Sequence, residues 1–151
     1  MQRGLVAQIF IGPDAGAPMK RVEEVGAITG KGLEGDRYFD AGDEGHDPSL
    51  EVTLFSAEGI EAGRATDGLD IDPEDMRRNL MTEGVSLSSL IGRRFSVGEV
   101  QLEGLEENPP CAHLQRLAGK PLLKPMIDNG GIRARIIVSG TIRVGDEIRS
   151  T

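Results

Sequence analysis

A chain of 151 residues is long enough to bury a core without staples, and with four Phe, one Tyr and no Trp it must pack that core with Val, Ile and Leu. Seventeen Lys and Arg against 25 Asp and Glu leave a net charge of -8, which argues against sequence-independent nucleic-acid binding, because a phosphate backbone has to be met by a surplus of cations. The one cysteine excludes an internal disulfide, and the lack of an apolar leader after Met1-Gln2-Arg3 or of an apolar run near about 18 residues points to a cytoplasmic protein with no membrane partner.

Twenty-one Gly and eight Pro, spread between short apolar runs, predict many turns joining short strands, hence a mainly β domain with a few short helices. Gly4 to Ile11 reads as the first strand, and the Gly- and Pro-rich connector from Gly12 to Pro18 cannot continue it. Val22 to Ile28 is expected as the second strand. The polar stretch from Asp40 to Ser49 is expected to be a mobile surface loop bordering a ligand site.

Glu51 to Phe55 alternates like a strand, and Ser56 is a suitable N-cap for a short helix from Ala57 to Ala65, weakened by Gly59 and Gly63. Asp72-Pro73-Glu74-Asp75 carries an N-cap, a proline at the first helical position and acids in the first turn, so it predicts a helical turn, with Arg77 to Met81 extended after it. Ser86 to Ile91 reads as another helical turn ended by Gly92. Arg94 to Val97 and Val100 to Glu103 then have the period of paired strands reversing at Gly98. The stretch from Ile132 to Ile148 is β-branched and broken at Gly140-Thr141 and Gly145-Asp146, an ending suited to closing a small barrel. No repeat, linker or composition shift divides residues 1–151, so one domain is expected.

Several motifs fail on spacing. Gly26 to Lys31 is too short for a phosphate loop, and Gly32 stands where a hydroxyl is needed for magnesium. The acids at 36, 40, 43 and 47, and at 67, 70, 72 and 75, lack the spacing of a calcium loop, and one Cys with His46 and His113 cannot supply a zinc site. Cys111 therefore stands apart: in Asn108-Pro109-Pro110-Cys111-Ala112-His113-Leu114 it occupies a loop-to-helix junction, as a core residue, a nucleophile or a soft metal ligand. His113 two residues on faces away from it on a helix.

Four motifs in order, Gly35-Asp36-Arg37-Tyr38, Arg77-Arg78-Asn79-Leu80, Pro110-Cys111-Ala112-His113-Leu114 and Ser139 to Asp146, resemble those of the MOSC domain, the C-terminal domain of molybdenum cofactor sulfurase. The likeness runs from about Pro18 onward and implies a compact β-barrel. It also implies that Cys111 is the catalytic residue, either ligating molybdenum or carrying sulfur as a persulfide, chemistry suited to a soft thiolate. By the same resemblance Arg77 and Asn79, Arg37, Lys20 and, more loosely, Ser49 are cofactor-binding, with Arg forks suited to the terminal phosphate of molybdopterin.

Relatives that bear this domain imply an oxidoreductase component acting on small N-hydroxylated substrates and fed by an electron-transfer partner. The alternatives are a sulfur carrier served by a cysteine desulfurase, and a non-catalytic binding barrel. There is no pyridoxal-phosphate desulfurase domain in this chain, so persulfide sulfur has to come from outside it. Arg133 stands where amidoxime reductases of this type carry an aromatic residue, which leaves the substrate side of the pocket open.

Overall fold

The computed structural model describes residues 2–39 and 47–150. Eleven strands are found there: β1 (Arg3–Ile11), β2 (Lys20–Val22), β3 (Glu24–Ile28), β4 (Gly32–Leu33), β5 (Val52–Ser56), β6 (Leu80–Glu83), β7 (Arg94–Val97), β8 (Val100–Glu107), β9 (Ile132–Val138), β10 (Gly140–Arg143) and β11 (Glu147–Ser150). Two α-helices, α1 (Ala57–Asp67) and α2 (Ala112–Ala118), and 3-10 turns at Pro48–Leu50, Pro73–Met76 and Leu87–Leu90 complete the fold. The main sheet runs β11-β7-β8-β9-β5-β6-β1-β2, and β1 also pairs with β11, so seven strands close into a barrel. A small sheet of β10-β3-β4 lies beside it. The mainly β expectation holds, and among the described residues no helix is long and apolar enough to cross a membrane.

Alternation along each strand divides the core in two. Val52 and Leu54 of β5, Leu80 of β6 and Ile132, Ala134 and Ile136 of β9 point into the barrel with Val6, Ile9, Phe95, Val97, Val100, Leu102 and Ile148. The outward Phe55 and Met81 form a second cluster with Phe10, Ile60, Ile71, Met76, Leu114, Leu122 and Met126, under α1, α2 and the segment after it. Burying each such side chain stabilises the fold by roughly 1.5–3 kcal/mol, so both clusters matter in a protein this poor in aromatic residues. Val6 and Ile9 both face inward, although three positions apart, because the register against β6 shifts between Val6 and Gln8 and leaves Ala7 as a bulge.

Two predicted elements change shape. The expected strand from Val22 to Ile28 is broken at Glu23: Val22 pairs with Ile9 in the barrel, whereas β3 pairs with β10 in the small sheet. Arg77 is not extended. It is the C-cap of the Pro73–Met76 turn, at φ 53° in the left-handed region, where a non-glycine side chain is held against its own preference. The helix begun by Ser56, whose Oγ accepts from Gly59 N at 2.9 Å, runs two residues beyond the expected end, to a left-handed cap at Gly68. Most of the expected Asp40–Ser49 loop lies outside the described residues, and Pro48 to Leu50 form a 3-10 turn.

Candidate functional site

A cavity of about 110 Å³ lies against the outer wall of the barrel, where β5, β6 and β9 meet the loops before α2 and after β4. Its lining includes Arg37, Arg77, Arg78 and Arg133 with Tyr38, Thr53, Asn79 and Asn108. Four guanidinium groups thus converge in a chain of net charge -8, and among the described residues Asp36 is the one acid in the lining. Asp36 is engaged by backbone: its Oδ1 accepts from Gly12 N at 2.8 Å and its Oδ2 from Tyr38 N at 3.4 Å. It fixes the Gly35–Tyr38 turn and presents Arg37. Gly35 at φ 85° makes that turn possible, and Gly12 leaves room for the Arg37 guanidinium, whose Nη1 would collide with any Cβ there.

Arg77 donates from Nη1 to the carbonyl of Ala17 at 2.8 Å, which ties the Gly12–Pro18 connector to the cavity. Its Nε and Nη2 are buried without a hydrogen-bond partner among the described residues. Orphaned donors on a desolvated cation are costly in a folded protein unless an anion completes them. Burial first, and then the charge of Arg37, push the Arg77 pKa below the usual guanidinium value, with Tyr38 opposing them.

Arg78 holds the loop that leads to the cysteine. Its Nη2 donates to the carbonyls of Asn108 at 3.0 Å and Pro109 at 3.2 Å, and its Nε to that of Gly130 at 3.3 Å. Burial and then Arg133 push the Arg78 pKa down to about 10, with Cys111 and Tyr38 acting in the other direction, so the group stays charged at neutral pH. Arg133 reaches the cavity because β9 alternates: Ile132 and Ala134 fill the barrel, and residue 133 must face outward, opposite Thr53. Its ion pair with Glu106 is loose, at 3.9 Å.

Asn79 lines the cavity but is woven into the fold. Its Oδ1 accepts from the N–H and the hydroxyl of Thr53, each at 3.0 Å, and its Nδ2 donates to the carbonyl of Phe10 at 3.1 Å. Cys111 is exposed at the N-cap of α2, where its Sγ accepts from Leu114 N at 3.5 Å, and it lies outside the cavity lining. Lys20 is exposed on β2 and does not line the cavity either; the Ser49 hydroxyl donates to Asp47 Oδ1 at 2.8 Å within its own turn. Of the six residues singled out in the sequence, the structure brings Arg37, Arg77 and Asn79 together at one cavity.

Sequence reasoning passed over Arg78 and Tyr38 as site residues, although both stand inside the motifs that carry the resemblance, next to Arg77 and Arg37. Among the described residues no cluster of three or more His, Cys, Asp or Glu side chains could hold a metal ion.

No curated protein matches the chain. Among solved structures, the YuaD protein of Bacillus subtilis is similar over 97% of this chain and 94% of its own, with a TM-score of 0.79 at 20% identity. YiiM of Geobacillus stearothermophilus is similar over 98% and 75%, with a TM-score of 0.73 at 14% identity. YiiM of Escherichia coli matches over 100% and 70%, with a TM-score of 0.68 at 18% identity. At such identities the likeness concerns the fold. A family model of the MOSC domain matches residues 43–149, well over half of the sequence, and that span holds Arg77, Arg78, Cys111 and Arg133 and most of the barrel. The chain belongs to the MOSC domain family.

Proposed function

We propose that the arginine cavity anchors the phosphate end of a molybdenum cofactor and that Cys111 is its protein ligand to the metal, making the protein an oxidoreductase component for small N-hydroxylated or related substrates. The observation that carries this reading is Arg77, whose Nε and Nη2 are buried, charged and unpartnered beside three further arginines. A phosphate oxygen pair matches that fork, and about 110 Å³ suits the head group of a ligand rather than the whole of it. The fit is therefore good at the anionic end.

When bound, the cofactor supplies a two-electron redox centre. The chain's own residues hold and orient. Arg77 and Arg37 meet the anion, Asp36 fixes Arg37 through the backbone of Gly12, and Arg78 fastens the Asn108–Pro109 carbonyls so that Cys111 follows at a set place. An outside electron donor is required.

A second reading, in which Cys111 carries persulfide from a cysteine desulfurase, draws on one observation: the thiol is exposed and stands outside the cavity, open to a docking protein.

Anaerobic reconstitution with molybdenum cofactor, followed by metal analysis of the desalted protein, tests the first reading. Near one molybdenum per chain is expected for wild type, with loss in Cys111→Ser and at least tenfold weaker retention in Arg77→Gln. Equal, negligible retention in all three sinks it. A gain of one sulfur on Cys111 after incubation with a desulfurase and cysteine would then favour the second.

A further inference from the structure

The four arginines of the cavity fall into two couples. Arg37 and Arg77 stand against the Gly12–Met19 connector, where Arg77 binds the Ala17 carbonyl and the Arg37 guanidinium lies over Gly12 beside the Met19 sulfur. Arg78 and Arg133 stand on the other side, with the Asn108–Pro109 loop and the start of β9. Asp36, the one acid among the described lining residues, sits in the chain beside Arg37 and is bound to Gly12 and Tyr38.

The second couple has donors to spare. Arg78 uses Nε and Nη2 on three carbonyls, and its Nη1 makes no hydrogen bond among the described residues. Among the described residues the Arg133 guanidinium donates no hydrogen bond, and its one ion pair there is the 3.9 Å approach to an exposed Glu106. Both line the one cavity, and the charge of Arg133 is among the causes that lower the Arg78 pKa, so the two cations repel each other and an anion between them relieves the repulsion. One phosphate gripped by Arg77 and Arg37 leaves this couple without an anion of its own.

We propose that Arg133, acting with Arg78, is a specificity-determining residue that receives a carboxylate on the small substrate, so that the protein selects anionic substrates. This rests on the reading that Arg77 and Arg37 take the cofactor's phosphate. Arg133 is suited to the task because it hangs from a barrel strand locked by Ile132 and Ala134, about a third exposed and hence reachable from solvent.

The test is NMR of the arginine Nε–H groups in cofactor-free protein, titrated separately with acetate and with inorganic phosphate. Acetate is expected to shift Arg133 and Arg78, and phosphate to shift Arg77. Arg133→Gln should weaken the acetate response at Arg78 at least tenfold, leave the phosphate response of Arg77 in place and leave molybdenum retention as in wild type, while Arg133→Lys restores part of the acetate affinity. Silence of Arg133 toward acetate, or equal weakening of both probes in Arg133→Gln, would overturn the proposal by reducing the cavity to a single anion site. Loss of molybdenum retention in wild type with the acetate response intact would instead defeat the cofactor reading and keep the carboxylate site.

Discussion

Both ends of the Asn79 amide are tied to backbone, one to Thr53 and the other to Phe10, so this side chain joins β5 and β1 just ahead of β6. It lines the cavity and is buried, which makes its role one of holding the wall in shape. Asn79→Leu, close in volume, leaves the Thr53 N–H and the Phe10 carbonyl without partners, and urea unfolding should show a loss of about 2–4 kcal/mol. An unchanged unfolding midpoint would show that water replaces the amide. The Arg-Arg-Asn run was legible in the sequence as a site motif, but adjacency says nothing about direction. The left-handed turn at Arg77 is what sends residues 77, 78 and 79 in different directions: a guanidinium fork turned to the cavity, a loop fastener and a sheet clamp.

At the scale of elements, α2 is short, and its position depends on what its C-terminal side grips. Lys120, just past the Gly119 cap, reaches Asp75 at 2.6 Å and Asp72 at 3.5 Å, on the 3-10 turn that ends at Arg77. Asp75 also caps Asp72 N at 2.8 Å, so one carboxylate shapes the turn and holds the helix to it. The hydrogen bond to Asp75 raises the Lys120 pKa above the usual lysine value. The stabilisation it reports is therefore fully present below the ordinary lysine pKa and is lost as pH rises through the raised one. Lys120→Met should lower stability by up to about 1 kcal/mol at pH 7, the pair being partly exposed, and thermal melts of the two proteins should converge at strongly alkaline pH. A difference that stays constant into that range would assign the effect to packing of the lysine stem. The helix itself was legible from the proline pair and the capping position. Its dock was not, because Lys120 and Asp75 are distant in sequence and each reads alone as a surface charge. The break at Glu23 was hidden for a related reason: β2 and β3 have the same strand-like composition and differ only in the partner each finds.

For the molecule as a whole, short strands and glycine turns announced a mainly β domain and its last segment an ending suited to closing a small barrel, yet neither the strand order nor the cavity could be read from them. Arg133 and Thr53 come together only because β9 and β5 pair, and the pocket draws on residues from Met19 to Arg133. Closure is made by the pairing of Arg3, Gly4 and Leu5 of β1 with Arg149, Ile148 and Glu147 of β11, extended by hydrogen bonds from Ser150 N to the Gln2 carbonyl and from Val6 N to the Asp146 carbonyl. Deleting residues 147–151 removes both this seam and the Ile148 side chain from the core, and circular dichroism on heating should show no cooperative transition. A sharp transition near that of the intact chain would mean that the open sheet is stable without its seam.

The same seam sets an order of events during synthesis. Among the described strands β1 comes first in the chain and β11, which completes its pairing, comes last, so the seam can form only after the strands between them exist. Until Glu147–Ser150 emerges, the nascent sheet is a curl with the edges of β1 and β7 bare, the state in which such edges recruit other chains. Docking of β11 is therefore the step that takes both edges out of reach of other chains.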